Sequence, residues 1–236
     1  MRKYKDSFVI VMPVLNEESY IEKTILSWNP VVQNIPGSEI LVIDGGSKDS
    51  TLDKLKVLSE SFNFVKVINQ KDKGHGNAIR QGYEFALKTP HPWIFQADAD
   101  GHINPIEFNK LWQRRSKSDF ILGHRQKRAD SIYRLVLSRL ISIWILILFG
   151  TYIKDPNIPF RLIRKRYLRK ILKKVPKEVF APNIFLSILA KKHGHDLHHI
   201  PVSHKNVRKA QANTRRILQG AFQGFFELLL FAFFKI

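Results

Sequence analysis

Apolar and polar positions follow two alternating periods over the first 125 residues. Phe8 to Met12 is an unbroken apolar run, which predicts a strand buried on both faces. Asn16 is predicted to cap a following helix, with Glu17 and Glu18 in its first turn and Ile21, Ile25 and Trp28 on one face. The unit then repeats. Ile40 to Ile43 reads as a second strand, and Ser50 to Phe62 as a helix with Leu52, Leu55 and Leu58 inward. Phe64 to Ile68 gives a third strand, followed by a Gly-rich turn and a helix through Ala78, Ile79, Gly82 and Phe85. Trp93 to Phe95 gives a fourth strand, running out into Asp98-Ala99-Asp100. Pro105 starts a further helix and Phe120 to Leu122 makes a fifth strand. Strands alternating with helices of this length predict an α/β fold, a mostly parallel sheet with flanking helices. Ligands bind beyond the carboxyl ends of such strands. Asn16, Glu17, Asp44, Lys73 to Asn77, Asp98 and Asp100 all fall there, which predicts a single crevice.

After residue 123 the pattern changes. Leu140 to Phe149 is apolar but too short to span a bilayer. A basic stretch from Arg161 to Lys177 follows, and Ile217 to Ile236 is rich in Phe and Leu, interrupted by Gln219, Gln223 and Glu227. The opening Met1 to Asp6 leads into too short an apolar run to read as a secretory leader. With no cysteine, a disulfide framework and a thiolate zinc site are excluded. The net charge is +19, and it is unevenly spread: the first hundred residues carry 12 basic and 13 acidic side chains, the rest 27 and 7. Such an excess points to a polyanionic partner, which is nucleic acid, acidic lipid or a phosphorylated substrate. Nucleic acid fits poorly. Phe225, Phe226, Phe231, Phe233 and Phe234 form one apolar block and are not interleaved with cations as stacking platforms would be.

Three strand ends carry candidate chemistry. They are Pro13-Val14-Leu15-Asn16-Glu17, then Asp44-Gly45-Gly46-Ser47-Lys48-Asp49-Ser50-Thr51, then Asp98-Ala99-Asp100. The last puts two carboxylates within reach of one hard cation such as Mg²⁺ or Mn²⁺. In order and spacing these motifs resemble the family 2 glycosyltransferases of GT-A fold, over roughly residues 8–125. The resemblance implies an inverting, metal-dependent transferase that uses a nucleotide-diphosphate sugar. By motif position, Pro13, Leu15 and Glu17 would line the nucleoside pocket and Asp44 would read the base. Asp98 and Asp100 would hold the metal and the diphosphate. Gly45 stands where the family commonly has a second Asp. His102 stands where a Gln is frequent, and is either a third metal ligand favouring Mn²⁺ or a hydrogen-bonded loop residue. Lys73 either places a cation near the phosphates or belongs to a plain turn.

The second half narrows the resemblance to polyprenyl-phosphate transferases of the dolichyl-phosphate mannose synthase type. It rests on Gly123-His124-Arg125, on Asp155-Pro156-Asn157-Ile158-Pro159-Phe160-Arg161, and on His204-Lys205-Asn206-Val207-Arg208. It implies that Arg125 and Arg208 hold the donor diphosphate and Arg139 the acceptor phosphate. Gln211, Asn213 and Thr214 depart from that group's pattern, and Arg215 or Arg216 stands near the lost cation. The Glu-Asp pair that supplies a base in many relatives is absent, and a phosphate acceptor needs none. Asp155 would orient Arg161 or a sugar hydroxyl, or cap a helix; for a glycan hydroxyl acceptor in cell-surface polysaccharide synthesis, the alternative reading, it would be the base. Catalysis would fall to Asp100, Asp155, Arg125 and Arg139. Residues 1–125 would form the donor half and 126–236 the acceptor and membrane half of one continuous catalytic domain. Residues 135–149 and 217–236 are predicted to lie in the membrane interface, with the basic run 161–177 toward anionic lipid; the alternatives are a buried core helix or a dimer contact and, for 217–236, a spanning helix that Glu227 disfavours. The expected place is peripheral, on the cytoplasmic face of the membrane, alone or with a membrane-protein partner or a second copy.

Overall fold

A computed structural model describes residue 4 and residues 6–126, 132–194, 197–205 and 214–234, with the backbone alone for 132–135, 214–218 and 234. Its centre is a seven-stranded sheet in the order β3-β2-β1-β4-β6-β5-β7. The strands are β1 (Phe8–Val14), β2 (Glu39–Asp44), β3 (Val65–Asn69), β4 (Trp93–Ala97), β5 (Phe120–Arg125), β6 (Phe160–Arg164) and β7 (His198–Val202). All neighbours run parallel except β6, which is antiparallel to both β4 and β5. The helices are α1 (Ile21–Gln33), α2 (Thr51–Ser61), α3 (His75–Ala86), α4 (Phe108–Trp112), α5 (Ile132–Phe149), α6 (Lys165–Leu172), α7 (Pro182–Lys192) and α8 (Thr214–Phe234).

Every residue of β1 is buried, as an apolar run inside a doubly covered sheet requires. Ile21, Ile25 and Trp28 turn α1 onto the sheet. Helix α3 lies so close to β1 and β2 that a Cβ on Gly82 would stand 2.4 Å from Val11 Cγ1 and 3.1 Å from Ile43 Cγ1. Gly82→Ala is therefore expected to cost about 1–3 kcal/mol through overpacking, read as a lowered urea midpoint at unchanged slope.

The predicted elements of the first half are present, with two local corrections. Asn16 is not a helix cap: it has φ 53° and the helix begins at Ile21. In α2, Thr51 rather than Leu52 takes the buried place beside Leu55 and Leu58. In the second half the corrections are larger. The basic stretch opens as β6, and Arg161 is wholly buried there instead of facing lipid. Its guanidinium donates to the carbonyls of Pro156, Ile158 and Asn183. Helix α6 turns Tyr167, Leu168, Ile171 and Leu172 inward. It starts beside the first residue of β4, since Lys165 N donates to Pro92 O, so it lies at the end of that strand opposite Asp98.

Helices α5 and α8 pack side by side, with Trp144 stacked on Phe225 at 4.0 Å between ring centroids. Leu140, Ile143, Ile147, Phe222, Phe226 and Phe233 remain exposed on this pair. Among the described residues no helix is long and apolar enough to cross a membrane.

His124 of β5 and His199 of β7 lie 6.3 Å apart between ring centroids. Burial, with the neighbouring His124 and Lys154, pushes His199 down to about 4. The folded pKa then lies below the unfolded one, so this contribution to stability is present above about pH 6.5 and is lost as the pH falls toward 4. Discounted for solvent screening of a half-buried ring, the effect is about 1–2 kcal/mol. It is measured as the difference between wild type and His199→Gln in urea midpoints at pH 7.5 and pH 5.

Candidate functional site

The first two strand-end motifs form a pair of mutually fastened loops. The left-handed backbone at Asn16 turns its Oδ1 to accept from Lys48 N at 2.8 Å, while Asn16 N donates to Ser47 Oγ at 3.0 Å. Glu17 N donates to Thr51 Oγ1 at 2.7 Å. Asp44 is buried, and its carboxylate accepts from Gly46 N at 3.0 Å, Ser47 N at 3.1 Å and Ser47 Oγ at 2.6 Å. Asn16, Asp44, Ser47 and Thr51 thus shape the loop backbone, and the carboxylate of Asp44 braces its own turn.

These loops wall the first of two adjoining cavities. It measures about 260 Å³ and is lined by Pro13, Leu15, Glu17, Gly45 and Gln70, with His75, Asp98 and Asp100 at its inner end. Leu15 is 55% exposed, an apolar side chain presented to the cleft. A Cβ on Gly45 would stand 3.1 Å from Gln70 Oε1 and 3.3 Å from Val14 O, so this wall has little room for the Asp common in the family. The second cavity, about 230 Å³, shares His75, Asp98 and Asp100 and adds Trp28, His102, Arg125, Asn157, Asn183 and His204.

Asp98 and Asp100 therefore stand at the junction. Burial, and next the adjacent Asp100, push the Asp98 carboxyl up to about 8 against the pull of Arg125 and Arg161. Asp98 Oδ1 is buried with no hydrogen-bond partner. Asp100 Oδ1 accepts from His102 N at 3.0 Å. The His102 ring lines the second cavity with its centroid 5.2 Å from that of His204. Among the described residues no three His, Asp or Glu side chains gather into a metal-holding group, so Asp98, Asp100 and His102 do not form a ready-made ligand set.

On the far wall, Arg125 and Asp155 form a two-pronged pair, Nε to Oδ2 at 2.8 Å and Nη2 to Oδ1 at 2.7 Å. Asp155 is buried at φ 52°. It orients Arg125, not Arg161. Lys73 is exposed on its turn and lines neither cavity. Arg139 is exposed on α5 and lines neither cavity. Arg208 lies outside the described residues. Trp28, Gln70, His75, Asn157, Asn183 and His204 were not singled out by the sequence. Of these, His75 sits in a turn that the sequence flagged, and Asn157 and His204 lie in the segments that carried the resemblance.

A family model described as "Glycosyl transferase family 2" matches residues 9–193. The chain is 27% identical over 206 residues to the polyprenol monophosphomannose synthase of Mycolicibacterium smegmatis, covering 83% of this chain and 76% of that protein. It is 24% identical over 247 residues to the UDP-N-acetylglucosamine–dolichyl-phosphate N-acetylglucosaminyltransferase of Methanococcus voltae, covering 96% of each. It is 26% identical over 167 residues to the undecaprenyl-phosphate mannosyltransferase of Micrococcus luteus, covering 68% of each. Among solved structures, glucosyl-3-phosphoglycerate synthase from Mycobacterium tuberculosis, in complex with Mn²⁺, UDP-glucose and phosphoglyceric acid, superposes with a TM-score of 0.72 at 17% identity, over 96% of this chain and 79% of that one. The fold is thus the GT-A α/β fold, and with the family model covering residues 9–193 the chain belongs to glycosyl transferase family 2.

Proposed function

We propose that this glycosyltransferase moves a sugar from a nucleotide-diphosphate donor to a polyprenyl phosphate at a membrane surface, with inversion at the anomeric carbon. The observation that carries the reading is the wall of the second cavity. Among the described residues its carboxylates are Asp98 and Asp100, both on the donor side. Asp155, the base candidate for a hydroxyl acceptor, has both oxygens held by Arg125. A hydroxyl acceptor would need a base there, whereas an acceptor phosphate is already an anion and needs cations.

The first cavity is the proposed nucleoside pocket, with Pro13, Leu15 and Glu17 against base and ribose. Asp44 shapes it by holding the Gly45–Ser47 turn. The partnerless Asp98 oxygen, beside a second carboxylate, is the kind of acceptor pair a hard cation satisfies. Asp98 and Asp100 would hold Mg²⁺ or Mn²⁺ together with donor diphosphate oxygens, and the ion would neutralise charge on the leaving group. Arg125, fixed by Asp155, points its cation at the same diphosphate. An acceptor phosphate oxygen attacks the anomeric carbon as the bond to the diphosphate breaks, a single in-line displacement that needs no proton transfer. Arg139 and Arg208 are the proposed further cations for acceptor and donor. The relatives named for polyprenyl-phosphate substrates support this acceptor class.

The exposed apolar face of α5 and α8 is the proposed membrane contact. Phe222→Asp with Phe226→Asp is expected to weaken binding to anionic liposomes at least tenfold in a flotation assay; equal flotation would point to a membrane-protein partner or a second copy on that face. The function itself is tested by incubating the protein with Mn²⁺, farnesyl phosphate and a panel of UDP-glucose, UDP-N-acetylglucosamine and GDP-mannose. A sugar-phosphate lipid is the expected product. Transfer to short soluble sugars without lipid phosphate would overturn the acceptor assignment.

A further inference from the structure

Two residues that line the second cavity each carry a buried oxygen without a partner. One is Asp98 Oδ1, on the wall proposed for metal and diphosphate. The other is the amide oxygen of Asn183. Asn183 is 2% exposed and stands in the first turn of α7, directly after Pro182. Its main chain is held fast. Arg161 Nη1 donates to Asn183 O at 2.9 Å, and the same guanidinium grips Pro156 O at 3.1 Å and Ile158 O at 2.7 Å. Ser187 Oγ adds a bond to Asn183 O at 2.9 Å. The backbone from which the amide springs is therefore anchored by a buried network.

A buried amide oxygen left unpaired is costly, so the cavity's ligand has to bring a donor. That requirement sorts the candidates. A diphosphate offers only acceptors, and a phosphate monoester at neutral pH offers few protons; a sugar offers hydroxyls. A sugar hydroxyl both donates and accepts, so it satisfies the amide in either orientation, whereas a phosphate oxygen satisfies only the one that presents the NH2. Trp28, also 2% exposed, adds apolar surface to the same wall. We propose that the second cavity seats the transferred sugar and that Asn183 determines its specificity by hydrogen bonding one ring hydroxyl. This rests on the sugar-transfer reading above.

The test is a cycle between protein and donor. Wild type, Asn183→Leu and Asn183→Ser are assayed with Mn²⁺, farnesyl phosphate and the panel donor that is consumed, alongside its monodeoxy forms. Sites built to bond a hydroxyl reject analogues lacking it strongly, so one deoxy position is expected to lower wild-type kcat/KM by about 10- to 1,000-fold. In Asn183→Leu the same deletion should cost less than about threefold, because the group it removes no longer has a partner. Intrinsic reactivity changes of the deoxy sugar cancel between the two proteins. The other deoxy positions and the KM for farnesyl phosphate should be unmoved. A folded Asn183→Leu or Asn183→Ser protein that keeps the full deoxy profile, or that changes only the KM for farnesyl phosphate, overturns the assignment. If Asn183→Leu does not fold, as read by thermal melting, the smaller Asn183→Ser decides, with a partial loss of discrimination expected. Failure of the sugar-transfer reading would show differently, as no donor consumed by wild type, and the assignment to Asn183 would fall with it.

Discussion

Asp100→Ala is expected to lower sugar transfer at least about a thousandfold, roughly 4 kcal/mol of barrier, while the protein stays folded. Asp100 is half-buried at the junction of the two cavities and has one recorded loop bond, to His102 N, so little of the fold depends on it. The proposed reaction depends on it heavily, because a departing diphosphate needs its charge neutralised as the bond breaks. A second readout separates binding from turnover. Mn²⁺ with UDP or GDP should raise the melting temperature of wild type and leave that of Asp100→Ala unchanged. Undiminished transfer by the variant would remove both carboxylates from the proposed mechanism.

Asp155→Ala should be the most destabilising single change in the site, by about 3–5 kcal/mol, since it removes the two-pronged carboxylate that holds a mostly buried guanidinium. The side chains of Arg125 and Asp155 are only 18% and 7% exposed, so water replaces the lost partner incompletely. Asp155→Asn distinguishes structure from charge. Asn tolerates the left-handed backbone at this position and keeps one acceptor oxygen for Arg125. That variant should recover much of the stability but transfer sugar about 10- to 100-fold more slowly, because the cation aimed at the diphosphate is less firmly held. Wild-type activity in Asp155→Asn would mean that the orientation of Arg125 is unimportant. A bell-shaped pH profile lost in this variant alone would restore Asp155 as a base.

The first half was readable because each of its elements obeys one period at a time. Buried parallel strands such as Phe8–Val14 are uniformly apolar, and their polar ends carry motifs whose residue types already suggest oxygen ligation. The second half breaks those rules. Strand β6 places a buried Arg161 where the pattern reads basic surface, because five hydrogen bonds to four protein acceptors solvate the guanidinium in place of water. Strand β7 contains two histidines and a proline, and carries no alternation. Helix α7 is buried along nearly its whole length, Pro182 to Ala190, so it lacks the polar face that marks a surface helix. The site follows the same division. Asp98 and Asp100 announce themselves, whereas Trp28, Asn183 and His204 reach the cavity from separate elements and share no local signature. Their common feature is a tertiary one, the wall they form.

Strand β6 also has a consequence for how the chain is made. Strands β4 and β5 are adjacent in the chain order of strands yet do not touch, since β6 lies between them. Strand β5 finds both of its neighbours, β6 and β7, only in segments synthesised after it. On the ribosome, the emerging first half would carry an open slot one strand wide, with unpaired edges on β4 and β5 until Phe160–Arg164 arrives to fill it. Such edges are templates for pairing with other chains, and closing a slot from a distance is slow. The seam that completes the catalytic crevice is therefore also the step at which a nascent molecule is most open to chaperones and to aggregation.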